Sequence, residues 1–174
     1  FIKFKSKMLK DLLHTFETAK ITLSAKGSVK LPDEVKKHDI YFNNQEGTTK
    51  YSLGIGGIHS KEEARITTIN DDEMLTDKDV TSFYPSIILG LGLYPKHLGE
   101  IFLKIYSKFV NDRILAKKQG NKVLNATLKI FINSIYGKFG QAGSPVYSPS
   151  LLAQTTITGQ LSLLMLIERL EEVG

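Results

Sequence analysis

The sequence predicts an α+β fold in which short strands pack against helices. Before residue 71, one helical pattern is followed by short runs rich in β-branched and aromatic residues, separated by Gly, Asn and Pro. After residue 95, two apolar stripes at three- and four-residue spacing precede a long helical pattern over residues 151–172. The 174 residues are enough to bury one core, in one domain or in two lobes of one.

The first 70 residues contain one unusual stretch. A helical pattern runs through residues 8–16, and residues 21–23 and 39–42 are predicted to be extended. Gly54-Ile55-Gly56-Gly57 then interrupts a strand-like run, and three glycines in four residues predict a bulge or a close backbone approach. The stretch is neither a Walker loop nor a dinucleotide-binding fingerprint, because the Gly-Lys-Ser/Thr ending and a following helix are both missing.

Residues 79–88, Asp-Val-Thr-Ser-Phe-Tyr-Pro-Ser-Ile-Ile, are the most informative stretch. Val80 and the residues before it are predicted to form a short strand that Pro85 stops. Asp79 then stands at a strand end, where an isolated Asp is usually a cap or a turn former. Alternation along that strand places Asp77 on the same face as Asp79. The other acidic residues nearby, Asp71, Asp72 and Glu73, are expected to be solvated.

The two apolar stripes predict an antiparallel helical hairpin. The first runs from about Pro95 to Lys118 and ends before Gly120-Asn121, and the second begins directly after that tip. At a rise of about 1.5 Å per residue, Arg113 and Lys129 lie at similar depths below the tip and can face each other. Lys117 follows Arg113 by one turn on the same face. These cations predict a phosphate clamp, whereas the alternative is a solvated helix face.

Positive charge is concentrated in the same segment. Residues 1–80 carry 13 basic and 13 acidic residues, whereas residues 96–138 carry nine basic residues against Glu100 and Asp112. Such a segment directly after an acidic strand end predicts binding to the phosphates of a nucleotide or a nucleic acid. The nine basic residues are Lys96, Lys104, Lys108, Arg113, Lys117, Lys118, Lys122, Lys129 and Lys138.

Two motifs resemble those of family B DNA polymerases. Residues 79–88 resemble the first catalytic motif (Asp, two residues, Ser-Leu-Tyr-Pro-Ser-Ile-Ile), with Phe83 in place of Leu. Residues 129–137 match the second motif (Lys, three residues, Asn-Ser, one residue, Tyr-Gly), and residues 158–160 resemble the helix that follows it. The resemblance covers roughly residues 71–172 and implies the palm and fingers of a phage- or plasmid-type enzyme, with antiparallel palm strands and a two-helix fingers hairpin.

The resemblance also implies roles for individual residues. Asp79 would bind both catalytic Mg²⁺ ions, with the carbonyl of Val80 helping to hold the nucleotide-bound ion. Tyr84 would lie under the sugar and select deoxynucleotides, while Arg113 and Lys129 would act in catalysis on the β- and γ-phosphates. The residues expected at the nucleotide are Ser82, Phe83, Tyr84, Arg113, Lys117, Lys129 and Asn133. The residues expected at the DNA are Tyr136, Gly137, Lys138, Gly56 and Gly57. Gly56 and Gly57 are included because residues 54–57 resemble a Tyr-x-Gly-Gly element of protein-primed family members, with Gly54 in place of the Tyr.

The implied organisation has four parts. They are an N-terminal part leading into the palm (1–70), the palm strand with the first motif (71–95), the fingers hairpin (96–138), and a return loop with a palm helix (139–174). The implied partners are primer–template DNA and deoxynucleoside triphosphates, with a terminal protein as a further primer candidate.

The third motif of the family, Tyr-x-Asp-Thr-Asp-Ser, has no match in the chain. The chain also opens Phe-Ile-Lys-Phe-Lys, so we expect a fragment of a longer polymerase, inactive alone because one carboxylate cannot hold two divalent ions. An unpaired palm-sheet edge would favour self-association of the fragment. The alternative function is a non-catalytic nucleic-acid-binding module that uses the basic hairpin. A reverse transcriptase or RNA polymerase palm is disfavoured by Tyr84 and by residues 129–137.

Composition argues against several other classes. The chain has no Cys, which excludes disulfides and thiolate–metal sites. No uninterrupted apolar run reaches the roughly 18 to 20 residues of a membrane span, and no secretory leader is recognisable. We therefore expect no membrane partner and a location in the cytoplasm. If a phage or plasmid encodes the protein, this is the cytoplasm of the host cell.

Overall fold

The computed structural model describes residues 1–44, 47–54, 56–61, 64, 66 and 68–173. Its mixture of helices and small antiparallel sheets confirms the predicted α+β class. The helices are α1 (Lys7–Thr18), α2 (Asp33–Lys36), α3 (Phe83–Gly90), α4 (Ile101–Lys118), α5 (Lys122–Lys138) and α6 (Pro149–Val173). The strands are β1 (Thr22–Leu23), β2 (Val29–Lys30), β3 (Lys37–Asn44), β4 (Gly47–Gly54) and β5 (Gly57–Lys61).

The strands form two antiparallel sheets, β1–β2 and β3–β4–β5. In the larger sheet, Ile40 of β3 lies opposite Tyr51 of β4, and Gly54 of β4 lies opposite Gly57 of β5. The predicted bulge is therefore a chain reversal between β4 and β5. Gly57 has φ +145°, a backbone conformation that favours glycine. Ile55 lies outside the described residues.

The core consists of two clusters of buried side chains that share α6. The first joins α1, the larger sheet and α6 through Phe4, Leu9, Leu12, Ile40, Leu53, Leu161 and Leu164. The second joins α3, the helical hairpin and the start of α6 through Ile88, Phe102, Tyr106, Val110, Ile132, Phe139 and Leu151. Because α6 has residues in both clusters, it connects the N-terminal sheet to the hairpin.

The predicted hairpin is confirmed. Gly120 adopts φ +70° at the tip, and the side chain of Asn121 caps α5 by accepting a hydrogen bond from the backbone N–H of Leu124 at 3.0 Å. Phe109 of α4 packs edge-on against Phe131 of α5, with ring centroids 4.6 Å apart. This contact fixes the antiparallel register of the two helices.

Helix α6 (Pro149–Val173) extends slightly beyond the predicted helical pattern over residues 151–172. Gln154, Thr155 and Thr156 interrupt its apolar residues, yet the helix over Pro149–Glu172 is long and apolar enough to cross a membrane by length and composition alone. Of an apolar 18-residue stretch of this helix, 44% is buried inside the fold. The core helix of a globular domain has the same length and composition.

The predicted strand before Asp79 is not present. Residues 74–80 have no regular secondary structure and are exposed, after a turn in which Glu73 N–H donates to the carbonyl of Asn70 at 3.1 Å. A strand needs a hydrogen-bonded neighbour, and neither sheet of the described residues extends to this segment. The alternation that placed Asp77 beside Asp79 therefore has no sheet to define it.

The start of α1 is attached to the end of α6 by a buried carboxylate. Glu168 is 4% exposed and accepts hydrogen bonds from the backbone N–H groups of Lys5 at 2.9 Å and Ser6 at 2.8 Å. Burial raises the pKa of Glu168, but the hydrogen bonds outweigh it, and the pKa lies below its usual value. Ser6 in turn caps α1 by accepting from the N–H of Leu9 at 3.4 Å.

We expect Glu168→Gln to lower the free energy of unfolding by about 2 kcal/mol at pH 7, because a charged acceptor of two buried N–H groups is lost. The pKa of Glu168 is lower in the folded than in the unfolded state, so its contribution is complete above about pH 4.3 and is lost at lower pH. Urea unfolding at pH 7 and pH 3 measures both effects, with Glu17→Gln on the exposed side of α1 as the control. Equal stabilities of Glu168→Gln and wild type at pH 7 would contradict the assignment.

Candidate active site

The first motif enters α3 through an unusual backbone conformation. Ser82, the residue before α3, has φ 52° and ψ 51°, and it is the one non-glycine residue with positive φ in the described part of the chain. Such a conformation is unfavourable for a residue with a Cβ atom, and it is found most often at functional sites. Pro85 does not end a strand as predicted. It lies buried in the first turn of α3, where its missing N–H leaves no helical hydrogen bond unmade.

Arg113 connects the helical hairpin to the first motif. Its side chain is half-buried, and Nη1 donates a hydrogen bond to Oγ of Ser82. Its Nε is buried without a hydrogen-bond partner among the described residues. The structure thus brings one of the predicted phosphate-binding cations against the start of α3.

The two motifs meet in a stack of two tyrosines. The rings of Tyr84 in α3 and Tyr136 in α5 lie with centroids 4.3 Å apart and an interplanar angle of 15°. Phe83 extends the group, with its ring centroid 5.7 Å from that of Tyr84. Burial raises the pKa of Tyr136 to about 12, although a hydrogen bond with Thr156 opposes the shift. Tyr136 is therefore a neutral hydroxyl at physiological pH.

Helix α6 forms the base of this site. A Cβ atom at Gly159 would lie 3.2 Å from Phe83 Cε1 and 3.3 Å from Tyr84 Cε1, so a larger residue there would require these rings to shift by a few tenths of an ångström. One turn earlier, the hydroxyl of Thr156 lies 2.5 Å from that of Tyr136. Next to Gly159, Gln160 donates from Nε2 to the carbonyl of Gly54 at 2.5 Å, which attaches the β4–β5 reversal to α6.

The sequence pointed to no role for Thr156, and residues 158–160 were placed only by resemblance. The signal in this segment was Gly159, since a glycine inside an apolar helical pattern often marks a close packing contact. No local pattern could indicate the Thr156–Tyr136 bond, because it joins residues 20 apart on different helices.

The remaining predicted cations lie on the outside of the hairpin. Lys117 and Lys129 are exposed, and Lys138 donates to Oε1 of Gln141 at 2.5 Å. The register of the hairpin keeps Lys129 within about one turn of the level of Arg113, but Arg113 is the one that contacts the first motif. The predicted clamp by both cations stays a prediction.

Asn133, which the resemblance implies at the nucleotide, lies on the exposed side of α5. Ile132 is the residue of α5 that enters the core, so Asn133, the next residue around the helix, is exposed. Gly137 is exposed as well, and no atom lies within 4 Å of the position that a Cβ atom would take there. Gly57 lies at the edge of the tyrosine stack, where a Cβ atom added to it would be 4.0 Å from the hydroxyl of Tyr84.

The described residues do not form a two-metal site by themselves. Asp79 and Val80 are exposed, and no group of three or more His, Asp or Glu residues in the described part of the chain could hold a metal ion. A two-metal site needs carboxylates that bridge both ions, and the predicted ligand Asp79 is not part of any such group.

We expect Gly159→Ala to lower the free energy of unfolding by about 1 kcal/mol, because displacement of the Phe83 and Tyr84 rings outweighs the helix propensity of alanine. Gly137→Ala is the matched control: it places the same methyl group in open space on α5 and should raise stability by about 0.5 to 1 kcal/mol. Denaturant unfolding of both variants gives the sign directly. A stabilised Gly159→Ala would contradict the close approach of α3 and α6.

The chain is similar to DNA polymerases over part of its length. It is 33% identical over 105 residues to DNA polymerase II of Escherichia coli (strain K12), covering 47% of this chain and 13% of that protein. It is 25% identical over 79 residues to DNA polymerase 1 of Sulfurisphaera ohwakuensis, covering 44% of this chain and 9% of that protein. No family model and no solved structure matches the chain. The similarity therefore supports a relation to DNA polymerases in general, and the chain spans about an eighth or less of the length of these relatives.

Proposed function

We propose that this chain is part of a DNA polymerase of family B, of the phage or plasmid type, and that it contributes the first two motifs to template-directed DNA synthesis. The observation that carries the proposal is the stack of Tyr84 on Tyr136. It brings residues 79–88 and 129–137 together on a chain that is similar to DNA polymerases. In this proposal residues 71–95 belong to the palm, and the α4–α5 hairpin is the fingers.

The start of α3 is the proposed binding site for the triphosphate of a deoxynucleotide. Backbone N–H groups in the first turn of a helix favour anions, and the N–H groups of Phe83 and Tyr84 lie there. The guanidinium of Arg113 already reaches this turn through Ser82, and a phosphate oxygen would be a stronger, charged acceptor. Lys117 and Lys129, exposed on the same hairpin, would add positive charge.

The tyrosine stack is proposed to receive the sugar and the nascent base pair. The ring of Tyr84 would lie under the sugar, which leaves no room for a 2′-hydroxyl. Asn133 and Tyr136 would lie against the base pair, and Gly137 and Lys138 would contact the DNA. The proximity of Gly57 to Tyr84 supports a place for Gly56 and Gly57 beside the same strand of DNA.

Mg²⁺ belongs to the proposal, with Asp79 and the carbonyl of Val80 as ligands in the complete polymerase. The third motif of the family, which carries the second carboxylate, has no match in this chain, so that carboxylate would come from another part of the enzyme, and the 174-residue chain is proposed to be inactive alone. The exposed segment 74–80 would be free to pair with a strand of the complete enzyme or of a second copy. A terminal protein as primer and a location in the host cytoplasm complete the proposal.

Primer extension by the complete polymerase that carries this sequence tests the proposal. We expect extension with deoxynucleotides but not ribonucleotides, and a loss of at least about a hundredfold in Asp79→Ala. Asp72→Ala is the matched control, since it removes a carboxylate that is also exposed and seven residues away, and it should retain wild-type activity. Equal activity of Asp79→Ala and Asp72→Ala would contradict the role of Asp79.

One observation favours a second function, a nucleic-acid-binding module without catalysis. Lys117, Lys118, Lys122, Lys129 and Lys138 are all exposed on the hairpin, while Asp79 belongs to no group of three or more His, Asp or Glu residues in the described part of the chain. Such a module would bind DNA with an affinity that falls steeply with salt and does not depend on Asp79 or Mg²⁺. DNA binding without any extension by the complete protein would establish this function instead.

A further inference from the structure

We propose that Thr156 of α6 is a positioning residue for deoxynucleotide selection, which acts by holding Tyr136 and, through the stacked ring, Tyr84. The inference rests on the proposed function, because it assumes that the ring of Tyr84 excludes a 2′-hydroxyl. Thr156 itself would touch neither the sugar nor the DNA, because the residue is only 6% exposed and its hydroxyl is hydrogen-bonded to Tyr136.

The direction of the hydrogen bond follows from the neighbours of Thr156. A threonine hydroxyl has one hydrogen, and that of Thr156 is donated to the carbonyl of Leu152 at 2.9 Å. When Thr156 donates to Leu152, Tyr136 is the donor in the 2.5 Å contact and Oγ1 of Thr156 is the acceptor. The raised pKa of Tyr136 keeps its hydroxyl protonated, so this donor is present throughout the physiological pH range. The far end of the Tyr136 ring is thus fixed to α6.

The position of Tyr136 limits that of Tyr84. The two rings are nearly parallel at 4.3 Å, so Tyr136 covers one face of Tyr84. The edge of the Tyr84 ring lies 3.3 Å from where a Cβ atom at Gly159 would be, and its hydroxyl lies near Gly57. The ring of Tyr136 and the close approach of α6 at Gly159 therefore limit where the Tyr84 ring can lie. Tyr136 is the neighbour whose side chain is attached to α6 by a hydrogen bond, through Thr156.

The chain offers a closely matched control in the neighbouring residue. Thr155 is 0% exposed, and its hydroxyl has no hydrogen-bond partner among the described residues. Thr155→Val and Thr156→Val make the same nearly isosteric change at adjacent buried positions of one helix. Only the second change removes the acceptor of Tyr136.

The first experiment uses the chain itself and asks whether Thr156 positions the stack. NMR spectra with selectively labelled tyrosine report the ring-current shifts that Tyr84 and Tyr136 exert on each other, with assignments from Tyr→Phe variants. We expect the signals of both tyrosines to move in Thr156→Val and to stay in place in Thr155→Val. Unchanged Tyr84 and Tyr136 signals in Thr156→Val would overturn the proposal.

The second experiment uses the complete polymerase and measures kcat/KM for a deoxynucleotide and for the matching ribonucleotide. We expect the ratio of the two values to fall about tenfold in Thr156→Val and to equal the wild-type ratio in Thr155→Val. A merely structural role would lower both values together and leave the ratio unchanged, which would overturn the role in selection. If the wild-type polymerase extends no primer, both the proposed function and the role of Thr156 in selection fail. The NMR spectra of the first experiment decide separately whether Thr156 positions the tyrosine stack.

Discussion

The stacking of Tyr84 on Tyr136 is the contact on which the arrangement of the site depends. It is the point at which α3, which contains the second half of the first motif, meets α5, which carries the second motif. An aromatic pair of this geometry contributes about 0.5 to 1.5 kcal/mol beyond the burial of its area. It acts together with the core cluster that contains Ile88 and Ile132 and with the contact of Arg113 with Ser82, which also join α3 to the hairpin.

Helix α6 makes that contact possible, because each of its turns serves a different neighbour. Near its middle, Thr156 and Gly159 set the positions of the two tyrosines, and Gln160 holds the β4–β5 reversal. Further on, Leu164 enters the N-terminal core and Glu168 binds the backbone ahead of α1. A change in the packing of α6 is therefore transmitted both to the site and to the N-terminal sheet, although the two lie on different core clusters.

Local patterns predicted α1, the helical hairpin and α6, but they did not predict α3, and they predicted the site only in part. The hairpin was predictable because apolar periodicity and the Gly120-Asn121 tip are local features. The strand before Asp79 was predicted wrongly because a strand depends on a neighbour that sequence does not reveal. The contact of the two motifs was implied by resemblance, whereas its support by Thr156 depends on packing between distant segments. Metal binding, DNA binding and catalysis stay predictions.

A double-mutant cycle on Tyr84 and Tyr136 tests most directly whether the stack joins the two motifs. The free energy of unfolding would be measured for wild type, Tyr84→Leu, Tyr136→Leu and the double variant of this chain. If the rings stack, the two substitutions should be non-additive, with a coupling free energy of about 1 kcal/mol. Additivity within about 0.3 kcal/mol would show that the rings do not interact, and it would contradict the site described above.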